Sequence, residues 1–295
     1  MNSLKTITNF KATLGECPLW DAENKIIYWI DIVEKKIFSL NIITEISMTI
    51  NLNNFVGCVV LKQNGNLSLA TENGFYSLNQ GTLSFKKLCD PEENIPTNRF
   101  NDGKCDASGR FWAGTTALDE CGNKGSLYFL DKNLKCRKVL GGIYISNGIT
   151  WSLDNRTMYF NDSPTRKVKA FDYDIKTGII KNGRVIITFN KEDGYPDGMT
   201  IDSEGKLWIA HWGGYGVGRW DPQTGRIIEK IYIPAKRVSS VTFGGPDLDD
   251  LYITTARRGF IETEVEVAGE LGEYDGMLFS IKTNLKGIDT FRFAS

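Results

Sequence analysis

Oxygen-bearing side chains recur at comparable points in four widely separated segments of this chain of 295 residues. They are the carboxylates of Glu16 and Asp197 and the amides of Asn101 and Asn147. Oxygen donors without sulfur or imidazole suit a hard divalent cation such as Ca²⁺, Mg²⁺ or Mn²⁺. An incomplete set of protein ligands would leave positions for water and substrate, which is what hydrolytic chemistry needs.

A simpler interpretation exists for two of these segments. Asn147-Gly148 and Asp197-Gly198 are common turn dipeptides, and a turn would explain either of them taken alone. Their shared position in a repeat is what favours a site.

The repeat consists of a turn rich in Asp, Asn, Ser and Gly, followed by a strand that is often aromatic. Comparable strand positions, 40 to 49 residues apart, are occupied by Tyr28, Ser68, Trp112, Tyr159, Trp208 and Tyr252. This period, built from short strands, is typical of propeller blades. The sequence therefore predicts an all-β, six-bladed β-propeller that forms a single domain over residues 1–295. A sandwich of two smaller domains is the competing layout, but no linker interrupts the repeat.

The first strand of each propeller blade lines the central channel, so residues at one offset from the anchors should form a ring. Eleven or twelve residues before the anchors, four repeats place Glu16, Asn101, Asn147 and Asp197, and the other two place Val56 or Gly57 and Ser240. The strand Leu4 to Phe10 is predicted to close the ring by pairing beside Gly276 to Ile281.

Composition excludes several classes of function. Lys and Arg total 35 and Asp and Glu total 36, which argues against nucleic acid or an anionic membrane as partner. No apolar run is long enough for a signal peptide or a transmembrane helix, so we expect a cytoplasmic protein. The six cysteines form no C-x-x-C pair and are expected to be reduced thiols. The one histidine, His211, has no Gly-x-Ser-x-Gly motif to form a triad with, and we expect a structural or rim position for it.

Five segments carry a resemblance to a known family: Gly15 to Trp20, Arg99 to Lys104, Ser146 to Gly148, Gly194 to Gly198 and Phe243 to Pro246. The chain resembles the family of senescence marker protein 30 (regucalcin), gluconolactonases and luciferin-regenerating enzymes. The resemblance implies a six-bladed propeller that binds one divalent metal at the channel mouth and hydrolyses sugar lactones.

Site residues follow from the same resemblance. Glu16, Asn147 and Asp197 would be the metal ligands, and Asn101 would touch the metal or the substrate. Arg99 would bind substrate oxygens, and Asp119 lies where some members place an acidic substrate contact. Cys17 stands where the family often has Gly or Ser, which places a thiol near the metal. Calcium is the expected cation, with zinc, manganese or magnesium as alternatives.

The expected reaction is the opening of an aldonolactone by a metal-activated water, in a monomer that needs no macromolecular partner. Asp197 could act as general base as well as ligand, and the sequence does not separate these roles. Two other functions stay open. One is a non-catalytic propeller that binds a divalent cation or ligand, as in calcium handling, and the other is hydrolysis of a different ester or phosphoester.

Overall fold

The computed structural model describes residues 3–261 and 271–295, and over these ranges the chain is almost entirely β-structure. Two short 3-10 helices span Ser163–Thr165 and Lys191–Asp193. Among the described residues, no helix has the length and apolar character needed to span a membrane. The strands are β1 Lys5–Thr6, β2 Gly15–Asp21, β3 Ile26–Asp31, β4 Lys36–Asn41, β5 Ser47–Asn51, β6 Val56–Leu61, β7 Leu67–Thr71, β8 Gly74–Leu78, β9 Phe85–Cys89, β10 Asn98–Cys105, β11 Phe111–Ala117, β12 Gly125–Leu130, β13 Cys136–Ile143, β14 Ser146–Trp151, β15 Thr157–Asp162, β16 Lys167–Asp174, β17 Ile179–Thr188, β18 Tyr195–Ile201, β19 Leu207–Trp212, β20 Gly216–Asp221, β21 Arg226–Tyr232, β22 Arg237–Gly244, β23 Asp250–Ala256 and β24 Phe279–Lys282.

Strand pairing over the described ranges gives five sheets, whereas the sequence predicted six separate ones. Four are antiparallel four-stranded meanders, formed by β2–β5, β6–β9, β10–β13 and β14–β17. The fifth has eight strands, because β18–β21 and the group β22–β24 with β1 are joined by the pairing of Trp212 with Arg237. Among the described residues, this single pair is the only strand pairing that links the two halves of the eight-stranded sheet.

The first strands of the six four-stranded groups, here called the inner strands, are β2, β6, β10, β14, β18 and β22. They contact one another in cyclic order, and β22 returns to β2. Each predicted anchor residue lies on the second strand of its group, as expected. The inner-strand residues opposite the anchors are Leu19, Val60, Lys104, Thr150, Thr200 and Thr242. All six line one cavity of about 50 Å³, so they surround a common axis.

The amino-terminal strand closes this ring, although it is shorter than predicted. Within β1, Lys5 pairs with Ser280 and Thr6 with Phe279 on β24. The Ile7 N–H then donates to the Leu278 carbonyl at 2.8 Å. The outermost strand of the last group is therefore supplied by the start of the chain, so the outer edge of β24 is paired.

Every inner strand carries a β-bulge near its start. The register shifts fall between Glu16 and Leu19, Val56 and Cys58, Phe100 and Gly103, Asn147 and Ile149, Pro196 and Met199, and Val238 and Ser240. A bulge bends the strand and re-aims the side chains beside it, which is why bulges are common next to active sites.

The glycines at these bulges let neighbouring inner strands approach closely. A Cβ added to Gly148 would lie 2.5 Å from the Asp197 carbonyl oxygen, and one on Gly198 would lie 2.0 Å from Ser240 Oγ. Asn147-Gly148 and Asp197-Gly198 lie inside strands β14 and β18. The interpretation of these dipeptides as hairpin turns is therefore wrong, because their glycines serve close strand packing.

Buried charge networks stabilise the outer parts of two groups. Asp106 accepts hydrogen bonds from Arg110 Nη1, Trp112 Nε1 and the Tyr173 hydroxyl, each at 2.7 Å. Asp202 accepts from Trp208 Nε1 at 3.0 Å, in the same position relative to its anchor tryptophan. Breaking such a buried pair leaves an uncompensated charge, so these contacts fix the folded state strongly.

The carboxyl-terminal segment, residues 287–294, crosses the end of the ring that lies beyond the 50 Å³ cavity. Gly287 pairs with Asp202 and Phe293 with Lys62, while the Ala294 N–H donates to the Gly109 carbonyl at 3.0 Å. The stretch from Ile288 to Phe291 lines the 50 Å³ cavity itself. This end of the axis is therefore covered by the chain.

Candidate functional site

A second cavity, of about 270 Å³, opens at the end of the axis where the inner strands begin. We call it the mouth cavity. Glu16, Asn101, Asn147 and Asp197 all line it, with Arg99 among them, so the structure brings the predicted ring residues together. Its other lining residues are Leu14, Ile32, Glu120, Ile145, Ser163, Pro164, Tyr195, Trp212, Gly259, Phe260 and Ile261.

Two carboxylates share the floor of the mouth cavity. Glu16 is 7% exposed and Asp197 is 4% exposed. Burial, and then the charge of Asp102, raises the pKa of Glu16 to about 8. Burial, and then the charge of Glu16, raises the pKa of Asp197 well above its usual range. A cation bound between these two buried carboxylates would offset their mutual repulsion and stabilise their charged forms.

The amides of the ring form a chain of hydrogen bonds. Asn147 donates through Nδ2 to Ser163 Oγ at 2.8 Å, which orients its amide. Asn101 Nδ2 donates to Asn147 Oδ1 at 2.7 Å and to the Ser146 carbonyl at 2.9 Å. Asn101 therefore fixes the neighbouring amide oxygen as well as lining the cavity.

The donor set fits a hard divalent cation. Asp197 Oδ1 is buried and has no hydrogen-bond partner among the described residues, so it is an oxygen in need of a positive partner. Glu16 and the oxygen of Asn147 would complete three protein ligands. Within the described ranges no cluster of three His, Cys, Asp or Glu residues could hold a metal, so the set depends on the Asn147 amide.

Arg99 is held rigidly beside these oxygens although it is only 1% exposed. Its Nη1 donates to Asn101 Oδ1 at 2.6 Å and its Nη2 to Glu120 Oε1 at 3.0 Å. The Phe260 ring covers one face of the guanidinium at 3.9 Å. Nε is buried without a partner among the described residues. A fixed guanidinium with an unused N–H can serve an anionic or carbonyl oxygen.

Of the neighbouring residues Asp119 and Glu120, only Glu120 lines the mouth cavity. The Asp119 side chain is 58% exposed and pairs with Lys124 at 3.1 Å. It also accepts from the Cys121 N–H at 3.0 Å, within the turn. Glu120 takes the left-handed backbone conformation, with φ of 49°, and this turns its carboxylate toward Arg99. Asp119 therefore lies outside the mouth cavity, and its neighbour Glu120 lines it.

Cys17 and His211 both lie outside the lining of the mouth cavity. The Cys17 thiol donates to the Val59 carbonyl and faces the 50 Å³ cavity, and burial raises its pKa. The thiol therefore points away from the candidate cation site. His211 is fully buried behind the cavity, where Trp220 Nε1 donates to its Nε2 at 3.3 Å. All six cysteines, which lie within the described ranges, are free thiols.

Loop residues at the rim were missed by reasoning from the repeat. Phe260 and Ile261 follow β23, and Tyr195 and Trp212 lie at strand ends. Tyr195 is covered by the Arg166 guanidinium at 3.9 Å, and Phe260 packs edge-on against Phe55 at 4.9 Å. None of these residues occupies a repeated offset, so the spacing carried no signal for them.

Comparisons with known proteins match the chain to one family over most of its length. Residues 14–257 match the model of the "SMP-30/Gluconolactonase/LRE-like region". Regucalcin of Danio rerio is 36% identical over 298 residues, covering 99% of each chain. The "Putative sugar lactone lactonase YvrE" of Bacillus subtilis is 37% identical over 254 residues, covering 86% of this chain and 87% of its own.

Solved structures are similar over the whole chain. A luciferin-regenerating enzyme superposes with a TM-score of 0.94 at 31% identity, covering 100% of both chains. A calcium-binding protein, regucalcin, from Agrobacterium tumefaciens gives a TM-score of 0.92 at 25% identity, covering 100% of this chain and 98% of its own. The match of the family model and the identity to these relatives show that the chain belongs to the SMP-30/gluconolactonase/LRE-like family.

Proposed function

We propose that this protein is a divalent-cation-dependent hydrolase that opens sugar lactones at the mouth cavity. The observation that carries the proposal is the buried, unpartnered Asp197 Oδ1, set with Glu16 and Asn147 beside the rigid Arg99. Two relatives add support, since one is named a sugar lactone lactonase and another is titled a calcium-binding protein.

We also propose that the chain is a single six-bladed propeller domain, with the eight-stranded sheet counted as two blades. Six inner strands in cyclic contact and six equivalent bulges support this count. A monomer in the cytoplasm is part of the same proposal, and the free cysteines fit a reducing compartment.

A bound Ca²⁺, Zn²⁺, Mn²⁺ or Mg²⁺ would polarise the lactone carbonyl and make water more acidic. Glu16, Asn147 and Asp197 would hold it. The Asp197 carboxylate would also accept the proton of the attacking water as general base. Water would add to the carbonyl carbon, the ring C–O bond would break, and the leaving ring oxygen would take up the proton held by Asp197, so that the product is a hydroxy acid.

Arg99 would donate to the substrate's carbonyl or hydroxyl oxygens through its guanidinium group, which lines the mouth cavity. Asn101 would keep both Arg99 and Asn147 in place, because it accepts from the first and donates to the second. Glu120, on the other side of Arg99, is placed to accept from a substrate hydroxyl.

The test is a pH-indicator assay on protein stripped with EDTA, over a panel of aldonolactones and one unsubstituted γ-lactone. Activity should vanish on stripping and return with one of the four cations. Asp197→Ala should abolish turnover while its circular dichroism stays that of the wild type. Asp119→Ala, which removes an exposed carboxylate outside the cavity, is the matched control and should keep full activity.

Two outcomes would overturn the proposal. Full activity after verified cation removal would rule out cation dependence, and normal turnover by Asp197→Ala would rule out the proposed role of that residue. A protein that binds the cation but opens no lactone would favour the non-catalytic binding function. Turnover of a phenyl ester or a phosphoester alone would favour the other hydrolase.

A further inference from the structure

Two charged residues of the segment Arg99 to Lys104, Asp102 and Lys104, have no part in the proposed hydrolysis. Lys104 belongs to the ring of six residues around the 50 Å³ cavity, and the other five members of that ring carry no charge. It therefore places a positive charge inside the channel, on the same strand as Asn101 and further from the mouth. A charge in such a position costs desolvation free energy and needs a reason.

Lys104 ties together two inner strands that are not neighbours. Its Nζ donates to the Met199 carbonyl at 2.6 Å, which joins β10 to β18 across the axis. Met199 is the residue at which the bulge carrying Asp197 returns to register. Because a bulge interrupts the ladder of strand hydrogen bonds, its backbone is less constrained there. The ammonium group supplies a constraint that the sheet itself does not.

Asp102 makes the corresponding contact on β14. Its carboxylate accepts the Gly103 N–H at 2.7 Å, and the backbone N–H of Gly148 lies close enough to favour its charged form. Gly148 directly follows Asn147 and has a φ of 32°, so the bulge carrying that amide has an unusual backbone conformation. The charges of Asp102 and Lys104 offset each other inside the channel.

We propose that Asp102 and Lys104 are positioning residues of the cation site, which hold the bulges of Asn147 and Asp197 in ligating geometry. This inference rests on the cation-binding part of the proposed function. The change in cation affinity that it predicts for removal of Lys104 is opposite to the change expected from charge alone. If Lys104 acted only through its charge, its removal would relieve repulsion and tighten cation binding. If it positions the Asp197 bulge, its removal must weaken binding.

The experiment is isothermal titration of EDTA-stripped protein with CaCl₂, and separately with MnCl₂. Lys104→Met, which removes the charge and the donor, should weaken binding by about 10- to 100-fold, the range found for residues that orient metal ligands. Lys104→Gln removes the charge but keeps a shorter N–H donor, so it should weaken binding less than Lys104→Met. Affinity equal to or tighter than wild type in Lys104→Met, or in Lys104→Gln should the first variant not fold, would overturn the proposal.

Arg110→Met is the matched control, because it removes a cation from a buried pair in the turn between β10 and β11, outside both cavities. It should lower Tm and leave cation affinity unchanged. An equal loss of affinity in Arg110→Met would mean that general destabilisation explains the effect, and the inference would fail. If wild type binds neither cation, titrations with ZnCl₂ and MgCl₂ follow, and the proposed function fails as well only if none of the four cations binds. If wild type binds and Lys104→Met binds as tightly, only this inference fails.

Discussion

Protonation of the only histidine should destabilise the fold in mild acid. His211 is fully buried, and its ring lies 4.6 Å from the Phe189 ring and 5.9 Å from the Trp220 ring. Its Nε2 accepts the indole N–H of Trp220. A proton on Nε2 would remove this hydrogen bond and bring two N–H donors face to face. Burial, with the nearby charge of Lys230, lowers the pKa of His211 to about 3.

The direction of the effect follows from the two states. The unfolded chain binds the proton with a histidine pKa of about 6.5, while the folded chain resists it down to about 3. The full contribution of His211 to stability is present above pH 6.5 and is lost as pH falls through this window. Between pH 7.5 and pH 5 the loss amounts to about 2 kcal/mol, or about 3 °C in Tm for a chain of this size.

The assay is urea unfolding of EDTA-stripped protein at pH 7.5 and pH 5, for wild type and His211→Gln. Glutamine keeps an acceptor for Trp220 but does not titrate. The channel carboxylates titrate alike in both proteins, so the difference between them isolates His211. The variant should lose about 2 kcal/mol less than wild type on acidification. Equal losses in the two proteins would show that protonation of His211 does not cause the loss of stability in acid.

Two further predictions concern the walls of the site. Phe260→Ala should raise KM about tenfold with a smaller change in kcat, because a partly buried cation–π contact with Arg99 contributes about 1–2 kcal/mol; the exposed Phe85→Ala should change neither, and an equal effect of both on KM would contradict this role. Gly198→Ala should destabilise the protein by about 1–3 kcal/mol and weaken cation binding, because its Cβ would lie 2.0 Å from Ser240 Oγ. Adding Ser240→Gly should restore part of both losses, and strictly additive losses in a double-mutant cycle would argue against the clash.

The fold could be predicted to a large extent because the repeated anchor residues pair directly with residues of the inner strands. Tyr28 faces Leu19 and Trp208 faces Thr200 in the same way, so anchors found in the sequence identify equivalent levels of the inner strands. Counting back from them then finds the ring of the mouth cavity. The union of two groups into one sheet could not be foreseen, because it depends on the single pairing of Trp212 with Arg237.

The finer parts of the site depend on backbone conformation rather than on spacing. The left-handed backbone conformation at Glu120 determines that Glu120, and not Asp119, lines the cavity. Two adjacent acidic residues in a sequence do not reveal which of them takes this conformation. The stacking of Phe260 on Arg99 depends on a loop that folds back over a distant group. Residues placed by loops lie beyond what a repeat can locate.

The covered end of the ring bears on turnover. Ile288 to Phe291 line the 50 Å³ cavity, and Phe293 and Ala294 pair with residues of two strand groups. Within the described residues, the central channel is therefore closed at this end and open only at the mouth cavity. In the proposed hydrolysis, lactone and hydroxy acid would therefore use the same opening in succession. Accumulated product would then compete directly with fresh substrate for the mouth cavity.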